Sequence, residues 1–392
     1  MGKHFYIHIP FCLNKCPYCS FYSVKPDSFA AINDYTAAVI KEIEICAADT
    51  GFVGGYSEDE DTDTVYIGGG TPSVLPPEGA VKILKKLGEC FKLDLDNPSK
   101  TEITIEVNPF TADYGKLKLL REGGFNRISI GVQSLDNEVL KTLGRLHDSQ
   151  KALDTVQAAQ KAGFENVSAD LIIGVPGETI AGVIKDTETL VNLGVKHIST
   201  YSLSIEEGTP FAKRYKNLDR FISQEDERAM YHGLRAFLAT KGFIDYEISN
   251  SSLPGYESRH NSCYWRAVEY FAFGAGAHGY VNSVRFSHSE NYKDYTEKLL
   301  TSGSLAMASY INTEEVLDDY EKMKEYMMLA FRTKEGVKLD YFKRRFNKDA
   351  ETLFSEEIQR LFSRELIVKD GGALHCTKKG LNFANIIFEE FV

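Results

Sequence analysis

Tryptophan occurs once in the 392 residues, and the eleven prolines are scattered. No proline- or serine-rich linker and no low-complexity tract interrupts the chain. No uninterrupted apolar run reaches the roughly 18 residues that a membrane-spanning helix needs, so no direct membrane anchor is expected. The first residues lack a basic stretch followed by an apolar core, so no secretory signal is expected. The seven cysteines are therefore read as reduced thiols of a cytoplasmic protein rather than a disulfide framework. A basic excess is missing too. Lys and Arg number 45 against 56 Asp and Glu, a net charge of −11, which argues against nucleic acid as a partner. The acidic run Glu58-Asp59-Glu60-Asp61, with Asp63 close by, reads as a solvated loop.

Three cysteines, by contrast, are concentrated in one stretch: Cys12-Leu13-Asn14-Lys15-Cys16-Pro17-Tyr18-Cys19. They follow a short strand pattern, His4 to Pro10, in which Phe5, Ile7 and Ile9 alternate with Tyr6 and His8. Three thiolates on one loop can hold one metal centre, but they are one fewer than a closed zinc site or a fully ligated four-iron cluster requires. An iron without a protein thiolate is open to an outside ligand. A zinc site with His4 or His8 as fourth ligand, inert thiols, and a disulfide with a spare thiol are the alternatives. The spacing resembles the radical S-adenosylmethionine enzymes, in which the open iron is chelated by the amino and carboxylate groups of the methionine moiety. The cysteines at 46, 90, 263 and 376 are scattered and read as structural.

Behind this loop, helix and strand patterns alternate. Helices are predicted over 29–48, 78–91, 111–121, 137–143, 149–162 and 179–193, and strands over 64–67, 101–107, 127–130, 166–173 and 197–203. Such alternation implies a parallel sheet with right-handed crossovers, either an open doubly wound sheet or a barrel. Polar and glycine residues gather past the strand ends: the cysteines, Gly68-Gly69-Gly70-Thr71, Glu106, Gln133 and Gly174. Both architectures bind ligands at that edge. Six units are too few for a full eight-unit barrel, and the resemblance implies an α/β fold with a three-quarter (β/α)6 partial TIM barrel.

The pattern changes beyond about residue 204. A helix over 223–241 and a strand over 244–248 precede an aromatic, glycine- and histidine-rich segment. It contains His260-Asn261-Ser262-Cys263-Tyr264-Trp265 and, further on, His278. Helices over 318–332, 339–346 and 350–365, a hairpin turned at Gly371-Gly372 and a final helix from about 379 suggest a C-terminal winged-helix-like domain. The expected division is a radical SAM barrel over 1–220, an extension over 221–310 and the C-terminal domain over 311–392.

Several residues are candidate ligand contacts on chemistry alone. Glycines let backbone approach a ligand closely, Glu106 can accept from ribose hydroxyls, Gln133, Arg145 and Asp170 can orient polar groups, and the Arg145 guanidinium suits a carboxylate. Taken in order, Tyr6, the cysteine loop, Gly-Gly-Gly-Thr-Pro, Glu106, Gln133, Arg145 and Asp170 resemble the oxygen-independent coproporphyrinogen III oxidase family over nearly the whole chain. That resemblance implies a 4Fe-4S cluster on Cys12, Cys16 and Cys19. It also implies S-adenosylmethionine bound by Tyr6, Tyr18, Gly69, Gly70, Thr71, Glu106, Gln133, Arg145 and Asp170. Two departures matter. The oxidases carry a fourth cysteine where Phe21 stands here, and a long N-terminal arm where only eleven residues precede Cys12. Both departures, and the His-Asn-x-x-Tyr-Trp motif at 260–265, are shared with the haem chaperone branch of the family. Membership there implies haem or a porphyrin as ligand, with His260 as candidate haem contact, and haem proteins of the respiratory chain as clients. The alternative is an enzyme, coproporphyrinogen III oxidase or another radical enzyme on a porphyrin-like substrate. Imidazole is a common axial ligand of haem iron, but a hydrogen-bonded core histidine is an equally ordinary role for His260.

Overall fold

A computed structural model of the chain describes residues 2–49, 56–57, 62–215, 222–301 and 311–392. The acidic run 58–61 lies outside the described residues, as do residues 220, 221 and 310 at the expected domain boundaries.

The first half runs β1 (Gly2–Ile9), α1 (Phe29–Ala48), β2 (Tyr56–Ser57), β3 (Asp63–Gly69), α2 (Pro77–Phe91), β4 (Thr101–Val107), α3 (Tyr114–Glu122) and β5 (Arg127–Gln133). It continues with α4 (Asn137–Thr142), α5 (Ser149–Lys161), β6 (Asn166–Ile173), α6 (Ile180–Asn192) and β7 (His197–Ser202). Six of these strands are parallel neighbours in the order β1-β3-β4-β5-β6-β7, the parallel sheet that the alternation implied and the partial barrel that the resemblance implied. Helices start where side chains satisfy the first free amides: Ser28, Asp113, Asp148 and Thr179 each accept from a backbone N–H in the first turn of α1, α3, α5 and α6. Asp113 also explains why α3 begins later than the predicted residue 111: Pro109–Thr111 forms a separate short turn capped by Asn108.

Strand alternation sorts the residues. Phe5, Ile7 and Ile9, then Val65 and Ile67, Ile103 and Ile105, and Ile128, Ile130 and Val132 are buried in the main apolar core. The alternate positions, among them Tyr66, Glu106, Arg127, Ser129, Asp170, Ser199 and Tyr201, line a cavity inside the barrel.

After α7 (Pro210–Arg214) and α8 (Gln224–Thr240), β8 (Ile244–Asp245) and β9 (Asn250–Ser252) add antiparallel strands beside β7. The predicted strand 244–248 is thus shorter than expected. Next come α9 (Arg259–Trp265) and β10 (Phe271–Phe273), which pairs parallel with β1. A three-stranded sheet of β11 (His278–Val281), β12 (Val284–His288) and β13 (Ile311–Val316) surrounds α10 (Tyr292–Thr301) in sequence. It is tied to the barrel by a fully buried network. Glu42 of α1 takes hydrogen bonds from His288, from Tyr295 and, at 2.9 Å, from the Gly274 amide.

The C-terminal region has its own apolar cluster, including Met327, Phe331, Phe342, Phe354 and Leu374. It contains α11 (Asp319–Ala330), β14 (Val337–Lys338), α12 (Leu339–Phe346), α13 (Ala350–Leu353), α14 (Ser355–Ser363), β15 (Ile367–Asp370), β16 (Ala373–Cys376), α15 (Lys378–Asn382) and α16 (Ala384–Glu389). The predicted helices 350–365 and 379 onward are each broken, at Phe354 (φ −111°, ψ 34°) and Phe383 (φ −128°, ψ 34°). Phe354 is buried there, so packing of one ring overrides helix continuity. Among the described residues no helix is long and apolar enough to cross a membrane.

Candidate functional site

The cysteine loop leaves the C-terminal end of β1 and is closed at its base. Cys12 N–H donates to Val24 O at 2.9 Å and Val24 N–H to Pro10 O at 2.7 Å. Inside the loop, Cys19 N–H donates to Cys16 O at 3.2 Å. The three thiols are partly exposed and unoxidised. Burial is the main influence raising the Cys12 and Cys19 thiol pKa values, and each is raised further by the neighbouring cysteines, which places all three in electrostatic reach of one another. Cys16 Sγ accepts from Arg145 Nη1 at 3.5 Å, and Cys12 Sγ lies 3.4 Å from Thr71 Oγ1. Among the described residues, no three His, Cys, Asp or Glu side chains converge tightly enough to hold a single metal ion.

The glycine run ends β3 directly beneath this loop. A Cβ on Gly70 would stand 2.9 Å from Phe11 O and 3.1 Å from Cys12 Sγ, and one on Gly69 (φ +113°) would strike the His8 ring at 2.7 Å. Only glycine lets this backbone lie so close to the cysteines. The donor set fits an iron–sulfur cluster: three sulfur ligands on one pinned loop, a glycine surface against them and a guanidinium beside one of them. His4 and His8, the candidate fourth ligands for zinc, are engaged elsewhere, His4 with Thr64 and Cys263, His8 with Tyr6 and the Tyr22 carbonyl.

Below the loop a cavity of about 490 Å³ occupies the barrel. Tyr18, Cys19, Gly69, Gly70, Thr71, Glu106, Gln133, Arg145 and Asp170 all line it. Cys12 and Cys16 border its mouth through their bonds to Thr71 and Arg145. Tyr6 packs behind the wall, its ring stacked 6.3 Å from Tyr66. Gln133 sits at a bulge in β5 with φ +69°, a left-handed conformation of the kind found at ligand sites. Arg145 is anchored by Nη2 donating to Gly131 O at 3.0 Å.

Three carboxyl groups line the cavity: Glu106 and Asp170 inside the barrel, and the exposed Glu206. Glu106 accepts from Tyr66 OH at 2.7 Å and from Gly69 N–H at 3.3 Å. Burial, reinforced by the nearby Asp170 charge, pushes its pKa up to about 7 despite these bonds. Asp170, held by Ser129 Oγ at 3.0 and 3.2 Å, is also raised by burial.

The His260 motif lies at the opposite end. Helix α9 seals the N-terminal ends of β1, β3 and β4, where Glu102 accepts from Arg259 N–H (3.1 Å) and His260 N–H (3.0 Å). His260 is only 1 % exposed, with Nδ1 2.7 Å from Thr64 Oγ1 and Nε2 2.8 Å from Tyr264 OH. Its burial drives its pKa well down, so it is neutral. This geometry matches the hydrogen-bonded core histidine that the sequence left open. His278 is exposed and lies 3.4 Å from Glu314. The sequence reading did not single out Tyr66, Arg127, Ser129, Ser199, Tyr201 or Asn261, which line the same cavity. Strand alternation groups Arg127 with Ser129 but does not say which face turns inward, and Asn261 lies on helix α9, outside any strand pattern.

A family model of the Radical SAM superfamily matches residues 6–190, and one of the HemN C-terminal domain matches residues 317–383. Proteins named "Heme chaperone HemW" are similar over the full length. The one from Lactococcus lactis is 36 % identical over 99 % of this chain and 96 % of its own, and the one from Bacillus subtilis is 33 % identical over 100 % and 99 %. Among solved structures, coproporphyrinogen III oxidase (HemN) from Escherichia coli, described as a radical SAM enzyme, matches 100 % of this chain and 89 % of its own. The TM-score is 0.81 at 20 % identity, a likeness of fold. With the cysteine loop, the glycine cradle and the polar barrel in place, these similarities show that the chain belongs to the HemW family of radical SAM proteins.

Proposed function

We propose that the chain is a haem chaperone. It holds a 4Fe-4S cluster on Cys12, Cys16 and Cys19, binds S-adenosylmethionine in the barrel cavity and takes haem as its cargo. The observation that carries this reading is the full-length similarity to two proteins named as haem chaperones. Phe21 supports it: the ring stands where the oxidases carry a fourth cysteine, is 68 % exposed and lines the cavity mouth.

A cluster with one open iron supplies a chelation point for the methionine amino and carboxylate groups and, when reduced, an electron. The chain's own residues do the rest. Arg145 presents a partly buried guanidinium to a carboxylate at the mouth. The Gly69–Thr71 backbone gives a flat surface against the cysteines, and Glu106 and Asp170 offer acceptors to hydroxyl groups deeper in the cavity. Ligation of haem iron by His260 would require α9 to lift away from Thr64 and Tyr264, because both ring nitrogens are occupied. Client haem proteins of the respiratory chain complete the reading and rest on the family resemblance.

The test uses anaerobically reconstituted protein in two arms. One titrates haemin by absorption; the other supplies coproporphyrinogen III, S-adenosylmethionine and reductant. Saturable, stoichiometric haemin binding without decarboxylated product is expected. Robust turnover of coproporphyrinogen would overturn the chaperone reading in favour of the oxidase.

A further inference from the structure

Arg127 is the first residue of β5, at the floor of the barrel. It is 2 % exposed, yet it lines the cavity beside Ser129, Asp170, Tyr201 and Asn261. Its Nε is buried without a hydrogen-bond partner, and among the described residues no carboxylate lies within ion-pairing distance of its guanidinium. A guanidinium stays charged in proteins, and a buried charge without a partner is costly. Loop flexibility cannot account for it, because Arg127 is fixed in a central strand whose neighbours in register are Thr104 and Asn166. Glu106 and Asp170 feel its charge through space, but Asp170 is bonded to Ser129 and Glu106 to Tyr66 and Gly69.

We infer that Arg127, with the Asn261 carboxamide lining the same cavity, is an anion subsite at the barrel floor that receives a carboxylate arm of the bound ligand. The fork of a guanidinium matches a carboxylate in two parallel hydrogen bonds. Asn261 belongs to the His-Asn-x-x-Tyr-Trp segment, so the inference gives that segment a contact with the cavity that the buried His260 does not make. The existence of the subsite rests on the unpaired guanidinium. The identity of the arm rests on the haem reading, in which it is a propionate. A cavity of about 490 Å³ is the size of one small-molecule site.

The experiment compares haemin with its dimethyl ester on reconstituted full-length protein, with Arg127→Gln and Arg127→Lys alongside. The unmodified protein is expected to prefer the free acid by about tenfold, the lower range of a hydrogen bond to a charged group. Arg127→Gln removes a buried unpaired charge, so it is expected to fold, to bind the ester unchanged and to lose the preference. Arg127→Lys retains part of it. Equal binding of acid and ester by the unmodified protein, or a preference that survives in Arg127→Gln, overturns the subsite and leaves Arg127 as a counter-charge to Glu106 and Asp170. If neither porphyrin binds, the haem reading fails by itself, and glutarate alone decides the subsite. A rise in melting temperature that depends on Arg127 supports it, and no rise with the unmodified protein overturns it.

Discussion

Glu106 lets the electrostatics of the barrel be tested without any ligand. Burial pushes its carboxyl from the usual 4.5 to about 7, so between those values the folded protein holds a proton that the unfolded chain has released. The stability it contributes is full below pH 4.5 and is lost as pH rises through 7. At about 1.4 kcal/mol per unit, a shift of roughly 2.5 units amounts to at most about 3 kcal/mol lost between pH 5 and 8. Glu106→Gln removes that slope. The amide oxygen keeps the Tyr66 bond, while the second bond, from Gly69 N–H, is lost at a cost of about 1 kcal/mol. The variant is therefore expected to be about 1 kcal/mol less stable than the unmodified protein at pH 5 and about 2 kcal/mol more stable at pH 8. Urea midpoints of the cluster-free proteins at pH 5, 6, 7 and 8 measure the difference directly. A difference that stays constant across those four values would refute the claim that burial holds this carboxyl protonated.

Two further perturbations probe the elements that shape the site. His260→Ala removes both ring-nitrogen hydrogen bonds beneath the barrel, to Thr64 and Tyr264, and the stacking on Tyr66, and is expected to cost about 3 kcal/mol in a urea melt; an unchanged midpoint would show that α9 is not a plug. Glu42→Gln breaks the buried pair with His288 and should cost about 3 kcal/mol, with part recovered in the double variant carrying His288→Gln. Additive losses in that cycle would show that the two groups do not interact.

The parallel sheet and the ligand edge were legible because they are local. Each strand carries its own apolar alternation, and each ends in residues that only a ligand edge explains. The cysteine loop and Gly69–Thr71 were readable for the same reason. The inner face of the barrel was harder. A filled barrel core is usually branched and apolar, so nothing in the alternation of Arg127, Ser129 and Gly131 with Ile128 and Ile130 says which face turns inward. Long-range partners were beyond reach: the Thr64–His260 bond spans 196 positions and the Glu42–His288 contact 246. His260 therefore looked equally suited to a haem and to a core until the residues around it were placed. The breaks at Phe354 and Phe383 escaped as well, because both lie within strongly helical sequence; tertiary packing buries the Phe354 ring, whereas Phe383 is 41 % exposed.

The central claim is that the loop at the barrel mouth holds a cluster with one iron open to S-adenosylmethionine. Iron and acid-labile sulfide in anaerobically reconstituted protein, with Cys16→Ala as control and an electron paramagnetic resonance spectrum of the reduced cluster before and after S-adenosylmethionine, test it most directly. The account predicts about four irons and four sulfides per chain, a loss of both in Cys16→Ala, and a spectrum that changes when S-adenosylmethionine is added. Iron content unaffected by Cys16→Ala, or a spectrum indifferent to S-adenosylmethionine, would contradict it.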